Sequence, residues 1–243
     1  MTKSIESWKT TYTTLLDLLR AGTPFTFTKW GDGEWTAVFR AEDRWKAKFS
    51  NIKKYTSCER WHQLFEDMGR ALRDILVSKP AYFLGLSPHT MAPMGAEIEE
   101  FSGLYCLDDL HWVNANALHA ASREGALKEF TDLASKLRPI LVGPEHLAPL
   151  LGVIPISTHV VVPGRDCWLQ INETLAQTKD ALKCGSAVFC SAGPASKWLL
   201  HELQREFGKT HTLIDTGSLW DVYAGVRSRT YHALVDVGQL RHR

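Results

Sequence analysis

The chain has 243 residues, 44% hydrophobic and 23% charged, a composition that supports a buried core and excludes disordered or fibrous classes. Its 28 basic and 27 acidic residues leave a formal charge of +1, so no net field draws it toward nucleic acid or anionic lipid. With no linker, low-complexity tract or repeat in the sequence, a single domain over 1–243 is expected.

Cys58, Cys106, Cys167, Cys184 and Cys190 are odd in number, dispersed and without a C-x-x-C pair. That pattern suits reduced thiols in a cytoplasmic protein rather than a disulfide framework or zinc site. The first residues lack the apolar core of a secretory signal, and no apolar run approaches the ~20 residues of a membrane span. The sequon Asn172-Glu173-Thr174 has no meaning without export.

In chain order, Ile5, Trp8, Tyr12, Leu15, Leu16 and Leu19 recur at helical spacing, and Gly22 is placed to end that helix. The alternating Pro24-Phe25-Thr26-Phe27-Thr28 reads as a strand running into a Gly31-Asp32-Gly33-Glu34 turn. Residues 40–58 are basic and aperiodic, which predicts a long surface excursion. Trp61, Leu64, Phe65, Met68, Leu72, Ile75 and Leu76 mark a second helix, 81–86 a buried strand, and Ser87, Pro88 and His89 a loop. Strands are predicted at 139–143, 158–162, 187–190 and 212–214. Helices are predicted around Leu127–Leu137, after Pro144, over Trp168–Leu182 and after Pro194.

Short apolar strands alternating with helices imply an α/β, Rossmann-like, mostly parallel sheet with helices on both faces. Ligands of such sheets sit beyond the carboxyl ends of the strands. The turns to search are therefore Gly31–Glu34, Ser87–His89, Gly143–His146, Ser191–Pro194 and Asp215–Asp221.

In the first turn, Gly31 and Gly33 permit positive φ and close backbone approach to a ligand. Asp32 and Glu34 are hard oxygen donors one residue apart, suited to Mg²⁺ or Mn²⁺. The competing reading is a plain turn followed by a helix start. Trp30 and Trp35 flank it and are read either as core packing or as stacking surfaces for a sugar or base.

Lys29-Trp30-Gly31-Asp32-Gly33-Glu34 resembles the Arg-aromatic-Gly-Asp-Gly-Glu signature of the GT-D glycosyltransferases, once catalogued as a domain of unknown function. Trp112-Val113-Asn114-Ala115-Asn116, Leu141-Val142-Gly143-Pro144, Cys190-Ser191-Ala192-Gly193, Ile214-Asp215-Thr216-Gly217-Ser218 with Trp220-Asp221, and Arg227-Ser228-Arg229 look like later blocks of that family. The resemblance spans about Phe25 to Tyr231. It implies a fold that transfers a sugar from a nucleotide-diphosphate donor, with Asp32 and Glu34 binding metal and donor. Lys29 stands where arginine is usual, keeping the charge but not the bidentate fork.

Sugar transfer needs the departing nucleoside diphosphate stabilised, which a metal ion and nearby cations supply. Lys29, Arg227 and Arg229 are candidate phosphate partners, and otherwise surface charges. Gly143, Ser191 and Gly193 would present backbone N–H groups near helix starts. Asn114 and Asn116 would bind sugar hydroxyls or base, unless they are turn-forming amides. Asp221, Asp215 and Glu34 are the candidate catalytic carboxylates, and Asp215 is equally placed as a helix cap.

The expected donor is a nucleotide sugar, UDP-sugar above others. The expected acceptor is a hydroxyl of a glycan, a protein-linked glycan or a modified DNA base. Arg44, Lys46, Lys48, Lys53 and Lys54 would line an acidic acceptor groove or form a solvated loop. The ten histidines do not cluster, and G-x-G-x-x-G, Walker A, G-x-S-x-G and H-E-x-x-H are absent from the sequence. A metal-dependent phosphoester hydrolase and a noncatalytic nucleotide-binding module are the alternatives.

Overall fold

The computed structural model describes residues 5–49, 59–182 and 187–240. Cys58, Cys184, Lys53, Lys54, Gly185 and the basic 241–243 tail lie outside the described residues.

Seven strands form one parallel sheet: β1 (Thr26–Trp30), β2 (Phe83–Leu86), β3 (Trp112–Asn114), β4 (Ile140–Gly143), β5 (Thr158–Val161), β6 (Ala187–Cys190) and β7 (Thr212–Asp215). Their order is β3-β2-β1-β7-β6-β4-β5, so the first and last strands lie side by side in the middle. The chain steps outward from β1 to β3, crosses to β4, and returns inward through β6 to β7. Outgoing connections from β4 and β6 run in opposite directions, the arrangement that opens a crevice at the carboxyl edge.

The strand periodicity of two divides the core between the two faces. Phe27, Leu141, Phe189 and Ile214 point to one face and pack with α1 (Trp8–Arg20), α6 (Ala117–Arg123) and α7 (Leu127–Ser135). Trp30, Leu84 and Leu86 point to the other, under α2 (Asp32–Arg40), α3 (Asp43–Phe49), α4 (Glu59–Val77) and α5 (Pro88–Leu104). Ile140, Val142, Val188 and Leu213 join that second face under α8 (Ile171–Ala181) and α9 (Ala195–Phe207). The α/β expectation with helices on both faces therefore holds.

Several local expectations are corrected. Asp32 opens α2, so Gly31-Asp32-Gly33-Glu34 is a helix N-terminus rather than a free turn. Neither glycine has positive φ, and Gly31 is extended (φ −98°). Residues 43–49 of the expected excursion are helix α3, because Trp45 and Phe49 bury against Phe39 and hold it down. Its basic residues face acids: Arg44 pairs with Glu100, Lys46 with Glu66 and Lys48 with Glu97. Ser87 caps α5 by accepting the His89 N–H at 3.2 Å, so Ser87-Pro88-His89 is a helix start and not a loop. The segment after Pro144 is a 3₁₀ turn, Glu145–Gly152, interrupted by Pro149.

Trp30 and Trp35 are both fully buried. Trp35 meets Phe39 at 5.5 Å and the edge of Phe101 at 5.7 Å, so these rings belong to the core and not to a stacking platform. The α2–α4 crossing depends on Gly69, where an added Cβ would lie 2.0 Å from the Ala37 carbonyl oxygen. Gly69→Ala must push the helices apart, and such overpacking costs about 1–3 kcal/mol. A melting temperature lower by about 2–12 °C is expected. An unchanged melt would contradict this packing.

Candidate functional site

The site grows from a failure of the sheet to close. The β1–β7 ladder registers only Thr26 with Leu213 and Phe27 with Ile214. Past that point the buried Asp215 carboxylate replaces the missing ladder. Its Oδ2 accepts the Lys29 N–H at 3.1 Å and its Oδ1 accepts the Gly217 N–H at 3.0 Å. Gly217 is left-handed (φ +52°), a conformation that favours glycine. A Cβ there would sit 3.0 Å from Lys29 Nζ, so glycine also keeps room for that ammonium.

The second face supplies a buried cation. Lys197, in the first turn of α9, places Nζ 2.8 Å from Asp215 Oδ2, 2.5 Å from Glu34 Oε1 and 3.3 Å from the Gly193 carbonyl. Its side chain is 4% exposed, against 10% for Glu34 and 0% for Asp215. Burial pushes its pKa down, but Asp215 and Glu34 outweigh that and hold it above the ordinary lysine range. Glu34 Oε2 accepts the Gly31 N–H at 2.9 Å, completing the backward half of a capping box at the start of α2. Both Glu34 oxygens are thus engaged inside the chain.

Asp32, one turn position earlier, is exposed, and its Oδ1 accepts the Gly33 N–H at 3.0 Å. It is the member of the D-x-E pair that the fold turns to solvent.

On the opposite face, Lys29 reaches toward α6. Its Nζ lies 3.1 Å from His119 Nδ1 and 3.2 Å from Nε2. Burial, reinforced by the charges of Lys197 and Arg229, brings Lys29 down to about 8 against the opposing pull of Asp215 and Glu34. Burial, then the Lys29 charge, drives His119 well below the usual histidine range. Neutral His119 therefore accepts from the lysine. Its ring meets the edge of Tyr231 at 5.2 Å, and Tyr231 OH is 2.9 Å from Ser218 Oγ.

A third group lies farther along the same edge. Asp221 Oδ1 is 3.0 Å from His146 Nε2, and Ser228 Oγ donates to Oδ2. Asp221 is 12% exposed and His146 38%, so the carboxylate is covered while the imidazole faces outward.

The other expected residues divide by their partners. Asn114 is buried and donates through Nδ2 to the Glu6 carbonyl, while its Oδ1 accepts the Asn116 N–H. Asn116 Nδ2 donates to Ser87 Oγ. Both amides stitch turns together. Gly143 is buried, and its carbonyl accepts from Val162 N–H while His159 Nε2 lies 3.0 Å away. A Cβ on it would meet Leu147 at 2.7 Å and Ser191 at 3.3 Å. Ser191 gives its N–H to Val142 and places Oγ 2.9 Å from Thr216 Oγ1. Gly193 is exposed and left-handed (φ +59°). Arg227 and Arg229 are exposed, and the Arg229 charge is felt at Lys29 and His119.

Sequence reading missed Lys197 and His119 as site residues, and it weighed His146, with His89 and His111, only as a histidine near a strand end that could touch substrate or be structural. Lys197 left a signal: a lysine one turn into a helix that follows a buried strand. His119 left none, its partner being 90 residues away, and His146 left only its place after β4, its partner Asp221 being 75 residues away. Among the described residues no three His, Cys, Asp or Glu side chains are grouped to hold a metal ion. Cys167 and Cys190 are free and buried, and burial pushes their thiols up to about 11 and about 12. No described helix is long and apolar enough to cross a membrane.

No protein-family model and no curated protein matches the sequence. Solved structures do match in fold. A structure described as a new glycosyltransferase (DUF1792) from Streptococcus sanguinis superposes with TM-score 0.62 at 13% identity, covering 89% of this chain and 82% of that one. A selenomethionine-substituted structure of domain of unknown function 1792 gives TM-score 0.57 at 16% identity, covering 86% and 77%. A third, described as showing that this domain has a distinct glycosyltransferase fold, gives 0.55 at 15%, covering 88% and 83%. These neighbours are the DUF1792 proteins whose sequence blocks this chain resembles, and the chain shares their fold.

Proposed function

We propose that the chain is a glycosyltransferase that moves a sugar from a nucleotide-diphosphate donor, a UDP-sugar above others, to an acceptor hydroxyl. The observation that carries this reading is the Lys29 ammonium near the carboxyl end of β1, 3.1 Å from a neutral His119 and under the field of Arg229. An ammonium that burial disfavours, and that Asp215 and Glu34 only partly offset, gains from a diphosphate.

In the reaction, the acceptor oxygen bonds to the anomeric carbon and the bond from that carbon to the phosphate oxygen breaks. Its electron pair leaves on the nucleoside diphosphate, where Lys29 meets the developing charge. The acceptor proton passes to Nδ1 of His146, which Asp221 orients through Nε2. Asp215 takes no part in proton transfer, being fully buried and bonded to Lys197, Lys29 and Gly217. Mn²⁺ or Mg²⁺, when bound, would be held by exposed Asp32 with donor phosphate oxygens, adding Lewis-acid stabilisation of the leaving group. The acceptor is a hydroxyl compound, with a glycan, a protein-linked glycan and a hydroxylated DNA base as the classes to assay.

Incubation with UDP-glucose, UDP-galactose or UDP-N-acetylglucosamine and Mn²⁺ tests the reading. Slow UDP release that disappears in Asp32→Ala is expected. Release of inorganic phosphate or UMP would point to a hydrolase, and binding without turnover to a noncatalytic module. His146→Gln should lower kcat by about 10²–10⁴-fold, the usual contribution of a general base, with donor KM nearly unchanged. A normal kcat would remove His146 from the mechanism.

A further inference from the structure

The likeness to D-x-E enzymes leads one to expect a divalent ion held by both Asp32 and Glu34. In this chain Glu34 is already committed. One oxygen closes the start of α2 through the Gly31 N–H, and the other lies 2.5 Å from Lys197 Nζ. That ammonium also sits 2.8 Å from Asp215, so two buried carboxylates enclose one cation.

A metal ion ligated by Glu34 would have to share Oε1 with this ammonium, share Oε2 with the Gly31 N–H a carboxylate's width from it, or expel one of them. Sharing brings like charges within a few Å in a dry site, where repulsion is much stronger than in water. Expulsion takes from a buried ammonium one of its two carboxylate partners and leaves it on Asp215 alone. Neither is required for the charges already present, because Lys197 satisfies Glu34 and Asp215 together.

We propose that Lys197 is the resident cation of the D-x-E site, so that Glu34 is a positioning residue and Asp32 is the metal ligand of the pair. Glu34 then acts through the backbone. It fixes the Gly31 N–H and the first turn of α2, and so aims Asp32 and the helix N-terminus into the crevice. Asp215 does the same for β1 through the Lys29 N–H. Lys197 joins the two devices across α2, β7 and α9. The charge that other sites take from an ion is here part of the polypeptide.

The proposal rests on the donor-site reading only where UDP is used as a probe, and its readout is metal binding rather than transfer. Mn²⁺ binding to the full chain, followed by electron paramagnetic resonance of the free ion with and without UDP, tests it. Glu34→Gln, which retains a carbonyl for Gly31, should change Mn²⁺ affinity by less than about twofold. Asp32→Asn should weaken it by about tenfold or more in the presence of UDP. Lys197→Met releases both carboxylates and should gain a UDP-independent Mn²⁺ site that disappears again with Asp215→Asn.

Loss of Mn²⁺ binding in folded Glu34→Gln as complete as in Asp32→Asn would overturn the proposal. That comparison decides even if Lys197→Met fails to fold. A native chain that binds Mn²⁺ only through Asp32 while releasing no UDP from any donor would sink the transferase reading and leave Lys197 in place.

Discussion

Lys197→Met is expected to destabilise the protein by about 3–5 kcal/mol, the typical cost of stripping one partner from a buried ion pair. For a chain of this length that lowers the melting temperature by roughly 6–20 °C. The loss comes from what remains behind. Asp215 has no exposure and Glu34 has 10%, so neither carboxylate can be rehydrated in place. Thermal melts of Lys197→Met should therefore improve when Asp215→Asn is added, because the second change removes a buried charge that the first left unpaired. The two positions touch, so their effects will not add. Equal or additive melts would mean that the triad contributes nothing as a unit.

The pH dependence of this effect follows from the sign of the lysine shift. Lys197 is held above its ordinary range, so its contribution is fully present below the unfolded-state value near ~10.4. It is lost only as pH rises through the higher folded value. The difference between native and Lys197→Met melts should be flat from neutral pH to about 9. A difference that vanished on going from pH 7 to 9 would contradict the assigned shift.

Six of the seven described strands, with helices α1, α4, α7, α8 and α9, were legible because their signals are local, whereas the three-residue edge strand β3 was too short to carry a pattern. Runs such as Ile140-Leu141-Val142 and Val188-Phe189-Cys190 carry their own strand pattern, and Leu199, Leu200 and Leu203 their own helix stripe. The Gly-Asp-Gly-Glu signature was legible as a place but not as a shape. Glu34 binds back to Gly31, which makes a capped helix out of what reads as a turn. The charge network was not legible at all. It joins Glu34, Lys197 and Asp215 through three elements, and the alternation that aims Lys29 at α6 and Asp215 at α9 appears only once the register is known. Helix α3 was missed for a related reason, since its two buried aromatics gain their partners from α2 and α5.

Lys29→Met should have the opposite pair of effects: weaker nucleotide binding and a more stable fold. Losing a charged contact to the diphosphate costs about 1.5–3 kcal/mol, or roughly ten- to a hundredfold in UDP affinity. The gain in stability has a different origin. Burial first, with Lys197 and Arg229, brings Lys29 to about 8 from the ordinary 10.5. Between those values the unfolded chain binds more protons than the folded one, so stability rises with pH across that window. Below it the charged lysine carries a penalty, on the order of 1–2 kcal/mol after allowance for its partial exposure. Lys29→Met removes that penalty and should raise the melting temperature by a few degrees at pH 7. UDP, which favours the charged form, should bind with proton uptake in the native chain and lose affinity as pH rises past about 8. Among the groups facing Lys29, His119 is already neutral there and Tyr231 is raised to about 12, so neither changes charge in that window. Lys29→Arg keeps its charge throughout and should flatten the profile. Calorimetric titration of UDP at pH 7 and 9.5 in buffers of different ionisation enthalpy reads affinity and proton uptake together, and a native profile as flat as that of Lys29→Arg would remove Lys29 from the diphosphate site.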